Sequence, residues 1–225
     1  MNKDIAKRNA AEEAVKYVEN GMIVGLGTGS TAKIAVDLIG AKLNDDFQIV
    51  GMPTSIRTKL QAEELGIELI EIDETDSIDL AIDGADEVSP DMSLIKGLGG
   101  ALLREKKVEK KAKELIIIID EGKLVQKLGR GELPVEVCSN DYEKVGSKIE
   151  KLGCETKLRI EDNGEIFVTD NKNYIYHCKF PNGIDNPRAI DKKLMNIEGV
   201  KDTGLFIDMA TKIIVGSKNN VKILE

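Results

Sequence analysis

The chain has 225 residues, and 40 acidic against 32 basic side chains leave a formal net charge of −8, which argues against nucleic acid as a partner. Hydrophobic residues make up 41% but aromatic ones only 4%, with no tryptophan, so aliphatic side chains must fill the core. Three scattered cysteines (Cys138, Cys154, Cys178) argue against a disulfide framework or a zinc knuckle. A lone His177 leaves little basis for a hydrolytic triad or a histidine-rich metal site. No apolar run approaches membrane-spanning length and the start has no apolar leader, so a cytoplasmic protein with no membrane partner is expected.

In chain order, apolar residues at helical spacing from Asp4 to Glu19 stop at Asn20-Gly21, a helix C-terminal signal. A strand from Met22 to Gly25 and a helix from Ala32 to Ile39 follow. Next come strand 48–52, helix 55–65, strand 68–72 and a buried-type strand 78–82 ending at Asp83. A helix from Ala101 to Glu114 leads into the most apolar strand, Leu115 to Asp120. Strands alternating with helices predict an α/β fold, a Rossmann-like and mainly parallel sheet with helices on both faces. Beyond Pro134 the rhythm becomes β-α-β-β-α-β: strand 135–137, helix 142–152, strand 155–160, a hairpin around Asp162-Asn163-Gly164, helix 188–197 and strand 204–207. That is the pattern of a ferredoxin-like α+β module. The run Lys212 to Gly216 is expected to rejoin the first sheet. Residues 1–130 and 208–225 then form the Rossmann-like domain, and 131–207 an inserted α+β domain.

The motifs sit where strands end. Gly25-Leu26-Gly27-Thr28-Gly29-Ser30-Thr31-Ala32 links a strand to a helix, where unpaired amides and the helix dipole favour an anion. Ser30 replaces the third glycine of a dinucleotide fingerprint, no acid follows the second strand, and no lysine follows the last glycine as in a Walker A loop. Backbone amides with the hydroxyls of Thr28, Ser30 and Thr31 suit a phosphate monoester; the plainer alternative is a tight turn with an N-cap serine. Asp83-Gly84-Ala85-Asp86-Glu87 puts three carboxylates at one strand end, more than turn formation asks for. Lys96-Gly97-Leu98-Gly99-Gly100 opens onto a helix carrying Glu105, which could equally be an exposed residue of a charged helix. Lys123 lies just past the Ile116–Ile119 strand. These segments converge on the C-terminal edge of one sheet, where open α/β sheets bind ligands.

"GLGTGSTA", "DGADEV", "KGLGGALLREK" and "ELPVEV", in this order and spacing, resemble ribose-5-phosphate isomerase of the A type over essentially the whole chain. The resemblance implies interconversion of D-ribose 5-phosphate and D-ribulose 5-phosphate, with a sugar phosphate as the partner and neither metal nor organic cofactor. It also implies a homodimer or homotetramer. By the family pattern Glu105 is the base, and the loop of Thr28, Gly29, Ser30 and Thr31 takes the phosphate with Lys7. Asp83, Gly84, Ala85 and Asp86, together with Lys96, Gly97, Leu98 and Gly99, line the sugar, and Lys123 reaches the substrate. Leu98 stands where the family usually carries another glycine. The chemistry is compatible: one carboxylate can carry a proton between C2 and C1 through an enediolate, and a lysine such as Lys96 can face the oxyanion. Asp83 is suited to ring opening and Asp86 to orienting Lys96. The rival reading is a sugar-phosphate sensor on the same scaffold, which would have no need of Glu105.

Overall fold

The computed structural model describes residues 2–225. The chain divides into two compact units: the first holds the chain up to Ala85, Arg104–Lys123 and Met209–Glu225, and the second holds Asp86–Leu103 and Leu124–Asp208. Relative to the boundaries read from the sequence, residues 86–103, 124–130 and 208 group with the second unit.

The first unit is a seven-stranded sheet. Its order is Val221–Leu224, Lys212–Gly216, Ala112–Asp120, Ile78–Asp83, Ile23–Leu26, Val50–Pro53, Glu68–Leu69. All neighbours are parallel except the edge strand Val221–Leu224, which runs antiparallel to Lys212–Gly216. The chain therefore steps outward from Ile23–Leu26 to Glu68–Leu69, then returns to the other side of Ile23–Leu26 with Ile78–Asp83. This reversal is a topological switch point, and it opens a crevice at the carboxyl ends of those two strands. Leu115 to Ile119 are all at most 1% exposed. At about 1.5–3 kcal/mol for each large apolar side chain buried, this strand is a principal anchor of the sheet. Helix Asn2–Ala14 buries only alanines (Ala6, Ala10, Ala11, Ala14), whose short side chains allow close packing.

Two expectations for this unit need correction. The helix expected to run from Ala101 to Glu114 is Leu102–Glu109, and the strand begins at Ala112. The reason is the ladder to Ile78–Asp83, which pairs Ile78 with Ala112 and Leu80 with Glu114. Lys113 and Glu114 are exposed at the strand's entrance, and their charge disguised it as helix. The edge strand Val221–Leu224 was not foreseen.

In the second unit a four-stranded antiparallel sheet has the order Val200–Thr203, Leu133–Val137, Tyr174–Lys179, Glu155–Leu158. With helices Tyr142–Glu150 and Pro187–Met195 this gives the ferredoxin-like β-α-β-β-α-β sequence. The last strand of the module is Val200–Thr203 rather than the expected 204–207. At Gly204 the chain changes sheets: its N–H donates to the Pro134 carbonyl (2.7 Å), and its own carbonyl accepts from Lys96 N–H (2.9 Å). Leu205–Phe206 then pairs with Leu94–Ile95, which also pairs with Glu87–Val88, in a separate three-stranded sheet. The carboxylate of Glu87, 4% exposed, accepts from the amides of Gly129 (2.7 Å), Arg130 (3.2 Å) and Gly131. Glu136 is fully buried, and its Oε1 accepts from Thr169 Oγ1 (3.0 Å), Asn173 Nδ2 (2.9 Å) and Asn171 Nδ2 (3.4 Å). All three cysteines carry free thiols. His177 lies in strand Tyr174–Lys179 with its Nδ1 2.9 Å from Glu132.

Candidate active site

In the first unit the candidate residues gather at the switch point. Strand Ile23–Leu26 delivers the glycine-rich loop, and helix Ser30–Lys42 begins within it. Gly29, with φ of 120°, is the N-cap, so Ser30 is the first helical residue rather than the cap. The amides that follow it have no carbonyl one turn earlier and point where an anion would sit. Lys7 reaches this loop from the first helix, its Nζ donating to Ser30 Oγ at 3.0 Å.

The loop is fastened from several directions. Gly27 N–H donates to the Ile82 carbonyl (3.0 Å), and Thr28 N–H to Asp83 Oδ1 (2.9 Å). Asp83 Oδ1 also accepts from Gly84 N–H at 2.6 Å. A Cβ at position 27 would overlap the Asp83 carboxylate, so this approach of loop to strand end requires glycine there. The Thr28 hydroxyl does not face outward as a ready donor. It sits 2.7 Å from Thr54 Oγ1, 2.8 Å from Ser55 Oγ and 3.1 Å from Thr58 Oγ1 in a buried cluster. Thr58 Oγ1 donates on to the Gly27 carbonyl at 3.0 Å, and Ser55 caps its own helix by accepting from Thr58 N–H. Thr31, 9% exposed, stands in the first turn of helix Ser30–Lys42. A cavity of about 430 Å³ beside the loop is lined by Gly27, Gly29, Ser30, Lys33, Arg57 and Thr58, among others.

Glu105 is 3% exposed in the first turns of helix Leu102–Glu109, and the exposed-helix alternative does not hold. Glu109, one turn later on the same face, is equally buried. Carboxylate oxygens of Asp83, Glu105 and Glu109 lie within 4.8 Å of one another. Among the described residues this is the one cluster with the donors to hold a metal ion, and its oxygen ligands would suit a hard divalent cation. The repulsion within it must be offset by protons, donors or cations. Lys123 ends the short helical turn Glu121–Lys123 that follows strand Ala112–Asp120. Ala85 ends the first of the unit's three chain segments.

The second unit holds the other candidates. Asp86 N–H donates to the Ile95 carbonyl (2.7 Å), and Asp86 Oδ2 accepts from Leu98 N–H (3.0 Å). Lys96 is 2% exposed, its Nζ 5.3 Å from the centre of the Phe206 ring. Gly97 to Gly100 form a turn closed by Gly100 N–H on the Gly97 carbonyl (2.9 Å). Positive φ falls on Gly97 (93°) and Gly100 (94°), not on Leu98 or Gly99. A leucine is therefore accommodated without strain at the turn's second position. The Leu98 carbonyl accepts from Arg159 Nη1 at 2.9 Å.

Three features escaped the sequence reading. Glu109 carried a signal, its spacing of four from Glu105. So did Thr54 and Ser55, just past strand Val50–Pro53, and Thr58 in the first turn of the helix that follows. Arg159 carried none, since it lies 61 positions from the residue it holds.

The family model for ribose 5-phosphate isomerase A (phosphoriboisomerase A) matches residues 50–220. A ribose-5-phosphate isomerase A of Bacillus mycoides (strain KBAB4) is 48% identical over 216 residues, covering 96% of this chain and 97% of that one. A solved D-ribose-5-phosphate isomerase in complex with phospho-erythronic acid shares 40% identity and a TM-score of 0.94 over the full length of both chains. The ribose 5-phosphate isomerase A of Methanocaldococcus jannaschii shares 38% and 0.93 over 98% of each. With the glycine loop at the switch point and the buried carboxylates beside it, likeness of this extent leaves one assignment: the chain belongs to the ribose 5-phosphate isomerase A family.

Proposed function

We propose that Glu105 is the base of an aldose–ketose isomerisation and that Asp83, Asp86 and Lys96 complete the machinery. The chain interconverts D-ribose 5-phosphate and D-ribulose 5-phosphate. In our reading Glu105 takes the proton from C2 of the open-chain aldose and returns it to C1 on the same face, through an enediolate. Lys96 faces the oxyanion that develops, and Asp86 orients it. Asp83 opens the furanose ring and moves protons between substrate oxygens. The loop of Thr28, Gly29, Ser30 and Thr31, with Lys7 and Lys123, takes the phosphate, and this remote binding positions the reacting carbons. Gly84, Ala85, Gly97, Leu98 and Gly99 line the sugar.

The observation that carries this reading is the burial of Glu105 within 4.8 Å of Asp83, at a sheet edge that also presents the anion loop. A relative solved in complex with phospho-erythronic acid, a phosphorylated sugar acid, agrees with it. The same reading uses no metal and no organic cofactor, and it places a homodimer or homotetramer in the cytoplasm. No helix among the described residues is long and apolar enough to cross a membrane.

Incubation with ribose 5-phosphate in D2O tests the proton transfer: deuterium should appear at C1 of ribulose 5-phosphate. Glu105→Gln should lower kcat by about 10²–10⁴-fold while substrate still binds. If Glu105→Gln kept near-full activity and Asp83→Asn abolished it, the base would be Asp83. Exhaustive chelation should leave the rate unchanged; loss restored by a divalent ion would turn the carboxylate cluster into a metal site.

A further inference from the structure

We propose that Arg159, in the ferredoxin-like module, is a positioning residue for the isomerisation, acting through the Lys96–Gly100 loop. The inference rests on the reading that this loop lines the sugar.

Arg159 follows strand Glu155–Leu158 and is itself well anchored. Its N–H donates to the Ile175 carbonyl (2.9 Å), and its carbonyl accepts from Phe167 N–H (3.0 Å). The guanidinium lies over the Phe167 ring, with Cζ 3.7 Å from the ring centre. Stacking of this kind fixes the plane in which the N–H groups point. One of them reaches the Leu98 carbonyl at 2.9 Å. The other end of the same residue, Leu98 N–H, is held by Asp86 Oδ2 at 3.0 Å. Leu98 is thus clamped on both sides, by a candidate catalytic carboxylate and by an arginine from the module.

Gly100 carries the same message. A Cβ there would lie 2.5 Å from Phe167 Cζ and 3.1 Å from Arg159 Nη1, so the Arg–Phe pair closes directly over the end of the turn. The core of the module is formed by other side chains, such as Val135, Ile149 and Cys178. What the contact does is fix the turn that begins at Lys96. A displacement of about 1 Å at a reacting group can cost ~10²-fold, which is the scale on which such a clamp matters.

The test compares Arg159→Lys, Arg159→Ala and Phe167→Leu with Lys96→Ala in the full-length enzyme. Three quantities are read: kcat/KM for ribose 5-phosphate, the inhibition constant of inorganic phosphate, and Tm. Arg159→Lys keeps the charge but not the planar fork, and should lower kcat/KM by about 10- to 100-fold, with phosphate inhibition unchanged. Arg159→Ala should fall further and recover in part with millimolar guanidinium. Arg159→Lys with wild-type kcat/KM overturns the proposal. So does a loss of activity matched by an equal loss of phosphate inhibition, or failure of every Arg159 and Phe167 variant to fold, since either assigns the pair to general stability. If Lys96→Ala is fully active, the reading of the sugar loop falls instead, whatever Arg159 does.

Discussion

Two glycine-rich loops open onto helices in this protein, and they are held in different ways. The loop after Ile23–Leu26 is fastened by its immediate surroundings: the carbonyl of Ile82, the carboxylate of Asp83, and hydroxyls from the end of the neighbouring strand. The loop from Lys96 to Gly100 is fastened by side chains, Asp86 close by and Arg159 far along the chain. The first device presents amides to a charge of fixed geometry and needs little beyond the fold itself. In the proposed reading the second orients a lysine and a turn against the sugar, and Arg159, from the same unit, holds that turn.

The comparison breaks most visibly when the phosphate is removed from the substrate. D-Ribose should be turned over slower by orders of magnitude, because binding energy that positions the reacting carbons is lost with the phosphate. Similar kcat/KM values for ribose and ribose 5-phosphate would show that the first loop serves another purpose. A smaller effect is expected from Thr58→Val, which keeps the shape but removes the donor to the Gly27 carbonyl. Leaving that buried cluster unsatisfied should cost about 1–3 kcal/mol of stability and raise KM more than it lowers kcat. Thr58→Ser should restore both, and denaturant melts with steady-state kinetics on the three proteins decide the matter.

The smallest effect concerns Glu136, a carboxylate that belongs to neither loop. Burial pushes its pKa above the ordinary value of 4.5, with the hydrogen bonds from Asn173, Thr169 and Asn171 pulling the other way. A raised folded-state pKa means that the folded protein holds the proton more tightly than the unfolded chain. Its contribution is then fully present below that ordinary value and is lost as pH rises through the folded one. Glu136→Gln mimics the neutral acid, so it should gain stability at pH 8 and little at pH 4. A Tm deficit that grows with pH would show instead that the three donors need a charged acceptor.

How much could be read beforehand follows from how local each feature is. The first loop, the Asp83 segment and the Ile116–Ile119 strand carry their meaning within a few residues, through glycines, hydroxyls and unbroken apolar runs. The overrun of the helix past Glu109 came from Lys113 and Glu114, whose charge conceals a strand that only the ladder to Ile78–Asp83 reveals. The sheet change at Gly204 depends on partners more than a hundred positions away, Leu94 and Ile95. Burial of Glu105 and Glu109 is likewise a property of what packs around them, and on paper they look like the surface of any charged helix. Arg159 is the extreme case, since its contact with Leu98 lies 61 positions away along the chain.

The carboxylates of Asp83, Glu105 and Glu109 have a consequence for how such a chain drifts. In the proposed reading selection for turnover retains the site's carboxylates, whereas selection for thermal endurance alone is free to replace them with neutral or apolar side chains. A library screened first for heat resistance and then for isomerisation should therefore divide at these three positions. Descendants that have given up the reaction should be recognisable by the erosion of this cluster before any strand of the sheet has changed.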